Sequence, residues 1–195
     1  MYVVRSCPRG DPMKALVLLF GIALVSIPVC AQATSNPLSA GQKGLYNYIK
    51  ADLVKAAEKM FEENYSYKPT PEVRSFGQIV GHVADAEYMF CSIVTGDGTK
   101  PPGIEKSKTT KTDLVKALND AFAYCDKAYD GMTDAHATDM VKFFGQDMAK
   151  LTILSINNAH GDEHYGNMVT YMRLKGLVPP SSERPNPPPK KEDQK

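Results

Sequence analysis

Apolar residues recur every three or four positions in four segments of the chain, and stretches rich in glycine and proline separate these segments. The spacing predicts four helices, over about 38–64, 75–95, 112–129 and 146–175. Alternation of apolar and polar residues is brief, and the best strand candidate is the short run 141–144. Four amphipathic helices in one small domain predict an all-α fold in which the helices pack as a four-helix bundle.

The N-terminal region has the pattern of a secretory signal peptide. An apolar run over 15–29 follows Lys14 and ends before an A-x-A sequence at 31–33. The run is shorter than the roughly 20 apolar residues that a membrane span requires. We therefore expect cleavage after Ala33, a mature chain that begins at Thr34 without a membrane span, and a periplasmic or secreted location.

Two details of this region leave alternatives open. Translation could begin at Met1 or at Met13, and a start at Met13 would give a compact signal. Cys30 could carry a lipid anchor, although Pro28 and Val29 are poorly suited to a lipoprotein site, which favours small residues before the cysteine. A signal peptide that is removed remains the better interpretation of the pattern.

The C-terminal segment 179–195 contains closely spaced prolines and a charged end. Such a composition cannot bury enough apolar surface to order itself, so we predict a disordered tail. The predicted organisation is a signal peptide (1–33), one helical domain (34–178) and the tail (179–195). A Pro-rich tail could also serve as a ligand for a partner protein.

Composition limits the range of functions. The 195-residue chain has a formal net charge of +1, without the basic excess typical of proteins that bind nucleic acids. Hydrophobic residues make up 43% of the chain and charged residues 23%, which is ordinary for a globular domain. We therefore expect no nucleic-acid partner. The composition does not decide between a monomer and a homodimer.

Cys91 and Cys125 are the cysteines that remain after removal of the predicted signal. In an oxidising compartment such a pair could form a disulfide. They could equally be two buried thiols on separate helices. A bridge requires Cα atoms within about 7 Å, a distance that spacing along the chain does not give.

Three histidines occupy positions that favour a metal site. His160 and His164 lie one helical turn apart on the fourth predicted helix, in a row with Ile156 and Met168. His82 borders the apolar stripe of the second predicted helix. If these helices are neighbours, three neutral imidazoles converge with ring nitrogens roughly 3–4 Å apart. Such a set suits a divalent transition metal, zinc first and nickel or iron also, with an open fourth position of catalytic type.

Neighbouring carboxylates could support such a site. Asp85 follows His82 by one helical turn and could orient its imidazole. Glu163 could do the same or act as a general base, but the favoured interpretation is that both carboxylates are solvated. The H-E-x-x-H motif of zinc proteases is absent, because Gly161 follows the first paired histidine and Glu163 precedes the second.

Two stretches of the sequence resemble the DinB-like (damage-inducible) superfamily. The stretch Phe76–Glu87 looks like the second helix of that family, and His160–Arg173 looks like its fourth. The order and separation of the two stretches fit as well, and the resemblance extends over about 38–180. It implies a four-helix bundle with a divalent metal held by three histidines. In this chain those positions are His82, His160 and His164.

The resemblance is less specific about the reaction. Some DinB-like proteins are transferases or isomerases that depend on a low-molecular-weight thiol of the cytosol, whereas this chain has a predicted export signal. We therefore expect an exported metal-binding protein and leave open whether it is an enzyme. If it is one, we expect a metal-dependent enzyme of hydrolase or transferase type that acts on a small molecule of unknown identity. The alternative is a non-catalytic envelope or stress-related protein with a structural or vestigial metal site. A pocket that reaches the metal from solvent would favour the enzyme.

Overall fold

The structure is a computed structural model in which residues 36–183 are described. Its long helices are α1 (Pro37–Lys59), α2 (Phe76–Thr95), α4 (Lys111–Gly131) and α5 (Lys150–Leu174). A one-turn helix, α3 (Ile104–Ser107), precedes α4, and a hairpin of β1 (Met140–Phe143) and β2 (Gln146–Ala149) precedes α5. The predicted signal peptide, both candidate start residues, Cys30, Thr34 and the tail from 184 onward lie outside the described residues.

The four long helices pack as a bundle around an apolar core. Helices α1 and α2 each pack against both α4 and α5. Each long helix supplies fully buried side chains, among them Leu53, Phe76, Leu114, Phe122, Leu154 and Met168. The helical spacing of apolar residues follows from this burial, and the predicted all-α four-helix bundle is confirmed. Within residues 36–183, none of the helices has the length and apolar character that a membrane crossing requires.

Helix α1 ends at Lys59, whereas the sequence predicted a helix that continues to Asn64. Met60 takes an extended conformation, with φ −62° and ψ 133°, and a separate 3-10 turn follows at Glu62–Asn64. Met60 is nevertheless fully buried, so the apolar periodicity continues across the break. Periodicity alone therefore placed the helix end too late.

Helix α5 begins at Lys150, whereas the sequence predicted a start near Gln146. Strands β1 and β2 pair antiparallel and occupy the residues just before the helix. Phe144 and Gly145 connect the strands with positive φ angles of 47° and 83°, as in a tight two-residue turn. The short strand candidate thus becomes one half of a hairpin.

Local sequence determines how the two histidine-bearing helices begin and pack. Ser75 Oγ accepts a hydrogen bond from the N–H of Gln78, and Gln78 Oε1 accepts one from the N–H of Ser75, which forms a capping box on α2. On α5, a Cβ at Gly161 would lie 2.9 Å from Cγ2 of Ile49. The missing side chain therefore lets α1 approach α5 beside His160.

A disulfide joins Cys91 on α2 to Cys125 on α4, with the Cα atoms 5.3 Å apart. Both residues are fully buried. Of the two alternatives that the sequence left open, the structure therefore has the bridged one, and the bridge ties two neighbouring helices of the bundle together.

Candidate metal centre

The three histidines singled out in the sequence lie together where α2 meets α5. Nε2 of His160 lies 3.1 Å from Nε2 of His82 and 3.1 Å from Nε2 of His164. His164 is buried and the other two rings are partly exposed. The two helices therefore direct three ring nitrogens toward one point, with the spacing of roughly 3–4 Å expected around a tetrahedral ion.

Hydrogen bonds alone cannot satisfy these nitrogens. A neutral imidazole nitrogen either donates its one proton or offers its one lone pair. Because Nε2 of His160 faces two other Nε2 atoms, hydrogen bonding can satisfy only one of the two 3.1 Å contacts. A divalent cation would accept a lone pair from each of the three nitrogens. The three imidazoles therefore form a group that can hold a metal ion.

Burial lowers the pKa of all three imidazoles. The pKa of His160 and that of His164 both fall to about 4, and the neighbouring imidazoles add to the effect of burial. The pKa of His82 is also lowered, mainly by burial and to a smaller extent by the positive charge of Arg74. The negative charge of Glu105 opposes this shift. At neutral pH the rings are therefore uncharged, which is the state that binds a metal.

Glu105 is a carboxylate that contacts the histidine group, and the sequence reasoning missed it. Its Oε2 accepts a hydrogen bond from Nδ1–H of His82 at 3.2 Å, and its Oε1 accepts one from Nε–H of Arg74 at 2.8 Å. With its proton on Nδ1, His82 turns a lone pair on Nε2 toward the other two rings. The sequence signal is weak, because Glu105 lies 23 residues after His82, beyond a loop rich in glycine and proline.

The two carboxylates suggested by the sequence have different surroundings. Asp85 forms no hydrogen bond to the three rings. Instead, its carboxylate accepts hydrogen bonds of 2.8, 2.8 and 3.0 Å from the backbone N–H groups of 103–105. Asp85 therefore caps α3, the helix that carries Glu105. Glu163 is exposed and lines a cavity beside His164, and within the described part of the chain it has no hydrogen bond to a ring.

A cavity of about 560 Å³ lies beside His164, at the edge of the histidine group, and neither His82 nor His160 is among its lining residues. His164 lines it together with Glu72, Arg74, Glu105, Glu163 and Asn167. The side-chain amide of Asn167 lies 3.4 Å from Nδ1 of His164. Because Glu72, Arg74 and Glu163 are exposed, the cavity opens to solvent at the edge of the site.

A second group of metal-ligand types is present among the described residues. Ligand atoms of Glu87, Cys91 and Cys125 lie within 4.8 Å of one another in the bundle core. The two sulfur atoms are bonded to each other, so they offer no thiolate to a metal. The histidine group is therefore the better candidate for a metal centre.

The family model of the DinB superfamily matches residues 47–168, which include all three histidines. The chain belongs to the DinB superfamily. The match spans more than half of the chain and agrees with the resemblance seen in the two helical stretches. The uncharacterised DinB relative YjoA of Bacillus subtilis is 27% identical over 124 residues, which cover 62% of this chain and 79% of YjoA.

Solved structures share the fold of this DinB-family chain. A DinB-like protein from Bacillus cereus superposes with a TM-score of 0.64 at 21% identity, over 72% of this chain and 95% of its own. The YjoA structure gives a TM-score of 0.59 at 19% identity, over 77% of this chain and 96% of YjoA. A mutant of a mycothiol-dependent maleylpyruvate isomerase superposes with a TM-score of 0.58 at 13% identity, over 75% of this chain and 64% of the isomerase.

Proposed function

We propose that this DinB-family protein binds a divalent transition metal through His82, His160 and His164, with zinc the preferred ion. The observation that carries the proposal is the set of 3.1 Å contacts among neutral Nε2 atoms, which hydrogen bonds cannot all satisfy. Three imidazole ligands leave a position open for a small molecule. That arrangement is typical of catalytic zinc sites and not of structural ones.

We further propose that the protein is a metal-dependent enzyme of hydrolase or transferase type. A divalent metal in this site would supply Lewis-acid activation of a small molecule or of water. The cavity beside His164 supports an enzyme over a vestigial site, because it leaves open space next to one of the three proposed ligands. The isomerase that depends on mycothiol shares the fold only, so a thiol cofactor is not part of the proposal.

Metal binding tests the first proposal directly. Protein purified without a histidine-rich tag should bind one equivalent of Zn²⁺, measured by competition with a chromophoric chelator. His160→Ala should weaken binding by roughly 100-fold or more, because only two imidazoles remain. His136→Ala is the matched control, since His136 is exposed and pairs with Asp139 away from the site. Equal binding by the wild type and His160→Ala would contradict the proposal.

Access to the metal tests the second proposal. Protein loaded with Co²⁺ should change its visible absorption spectrum when azide or a small thiol is added, because the open position accepts the ligand. A spectrum that does not respond to either ligand would indicate a closed structural site and would favour the non-catalytic alternative.

We propose that the protein is exported and acts in the periplasm or outside the cell. The apolar run 15–29 with its A-x-A sequence supports export, and so does the Cys91–Cys125 bridge, because disulfides persist in oxidising compartments. Mass spectrometry of the exported protein should find Thr34 at the N-terminus. Ala33→Arg should block this cleavage, since the site requires small residues. Exported protein that retains Met1 or Met13 would contradict the prediction.

A further inference from the structure

The one-turn helix α3 lies directly against the histidine-bearing face of α2. Gly81 makes this approach feasible, because a Cβ there would lie 2.7 Å from Cα and 2.9 Å from the backbone nitrogen of Glu105. One turn further along α2, Asp85 accepts three backbone N–H groups from the start of α3. Two positions on α2 therefore fix the backbone of Glu105 next to His82.

The side chain of Glu105 has one partner on each oxygen. Nε–H of Arg74 donates to Oε1 at 2.8 Å, and Nδ1–H of His82 donates to Oε2 at 3.2 Å. The arginine thus restricts rotation of the carboxylate, so that its second oxygen stays directed at the imidazole. The carboxylate can only accept at this contact, and the proton of neutral His82 is therefore held on Nδ1.

We propose that Glu105 is a positioning residue that sets the metal affinity of the site by fixing the tautomer and ring orientation of His82. Gly81, Asp85 and Arg74 hold Glu105 for this role. The inference rests on the proposed metal function and deepens it. Carboxylates that accept a hydrogen bond from a metal-binding histidine typically change metal affinity by about 10- to 100-fold when they are removed.

A plain charge effect is the competing explanation, and the chain offers a control for it. Glu163 lines the same cavity as Glu105 but forms no hydrogen bond to a ring of the described site. Glu163→Gln therefore removes one negative charge near the metal position without removing a hydrogen bond to an imidazole. Glu105→Gln keeps an acceptor for Nδ1–H, because an amide oxygen replaces the carboxylate oxygen.

The experiment measures Zn²⁺ affinity of the purified chain by chelator competition. Glu105→Ala should weaken binding by about 10- to 100-fold, Glu105→Gln by several-fold, and Glu163→Gln by less than either. Nitrogen-15 NMR of the metal-free protein should show the proton of His82 on Nδ1 in the wild type. In Glu105→Ala the proton should redistribute to Nε2, a readout that a purely structural role of Glu105 would leave unchanged.

A glycine substitution tests the same geometry independently. Gly81→Ala should lower Zn²⁺ affinity because α3 must move away from His82, although alanine is the better helix former. Gly166→Ala is the matched control, since Gly166 lies on α5 near His164 and a Cβ there would meet nothing within 4 Å. It should leave the affinity unchanged.

The outcomes separate this inference from the proposed function. If the wild-type chain binds no metal, both are overturned. If the wild type binds Zn²⁺ and Glu105→Ala binds it equally tightly, or no more weakly than Glu163→Gln, the role of Glu105 is overturned and the metal function stands. An unchanged His82 tautomer in Glu105→Ala would likewise overturn the role of Glu105 alone.

Discussion

At the scale of single residues, Glu87 is a carboxyl group enclosed by the helix bundle. It is 3% exposed, and its Oε2 accepts a hydrogen bond from Nδ2 of Asn157 at 3.0 Å. Burial raises the pKa of Glu87 to about 8, against the opposing effects of the Asn157 hydrogen bond and the charge of Lys50. The folded protein therefore keeps this carboxyl group protonated at neutral pH, whereas the unfolded chain releases the proton near pH 4.5.

This difference predicts a pH-dependent stability. Between about pH 4.5 and pH 8 the folded state holds a proton that the unfolded state has lost, so stability falls as the pH rises through that window. The loss amounts to at most about 1.4 kcal/mol per pH unit and levels off above the folded-state pKa. Glu87→Gln removes the ionisation at nearly constant size. We therefore expect the free energy of unfolding of Glu87→Gln, measured by urea denaturation and taken relative to that of the wild type at the same pH, to increase from pH 5 to pH 8.

An exposed carboxylate provides the control for the Glu87 experiment. Glu63→Gln removes a negative charge from the surface of the 3-10 turn after α1, outside the bundle core. Its stability difference from the wild type should change little across the same pH range. A Glu87→Gln difference that stays constant with pH would show that Glu87 is ionised in the folded protein as it is in the unfolded chain.

At the scale of helices and strands, an element can be predicted from the sequence when the contacts that determine it are local along the chain. His160 and His164 share a helix, so their relation follows from helical geometry alone. His82 could be added because the periodicity of α2 placed it beside the apolar stripe, and the packing of α2 against α5 then brings it to the other two. The bundle and the histidine positions were therefore accessible from the sequence.

The elements that the sequence missed depend on contacts between distant residues or on single turns. Helix α3 has only four residues, too few for a periodic pattern, and Asp85 of α2 caps it from outside the loop. Strand β2 was predicted as the start of the fourth helix, although the run 141–144 was recognised as a strand candidate, because the turn between the strands uses Phe144 at positive φ in place of the usual asparagine or aspartate. Glu105 could not be predicted because its position depends on a contact between distant residues. It lies beside His82 only once α3 has packed on α2.

At the scale of the whole molecule, α2 is the helix through which the bundle is cross-linked. The disulfide joins α2 to α4 at Cys91 and Cys125, and the three-histidine group joins α2 to α5. With the proposed metal bound, the two links would lie on different helix pairs and would constrain the bundle separately. Helix α1 packs against α4 and α5 and takes part in neither link. Loss of the disulfide should therefore lower stability without removing the metal ligands.

We predict that the disulfide contributes a large part of the stability of the bundle. It closes a loop with a sequence separation of 34, for which the chain-entropy relation gives about 3–4 kcal/mol. The double variant Cys91→Ala, Cys125→Ala should therefore melt on the order of 10 °C below the wild type in a thermal scan.

Because both sulfurs are buried, a reductant should act only as the protein unfolds. It should lower the wild-type midpoint to that of the variant and leave the variant unchanged. Two free thiols in denatured, non-reduced exported protein, or a wild-type midpoint insensitive to reductant, would contradict the bridge.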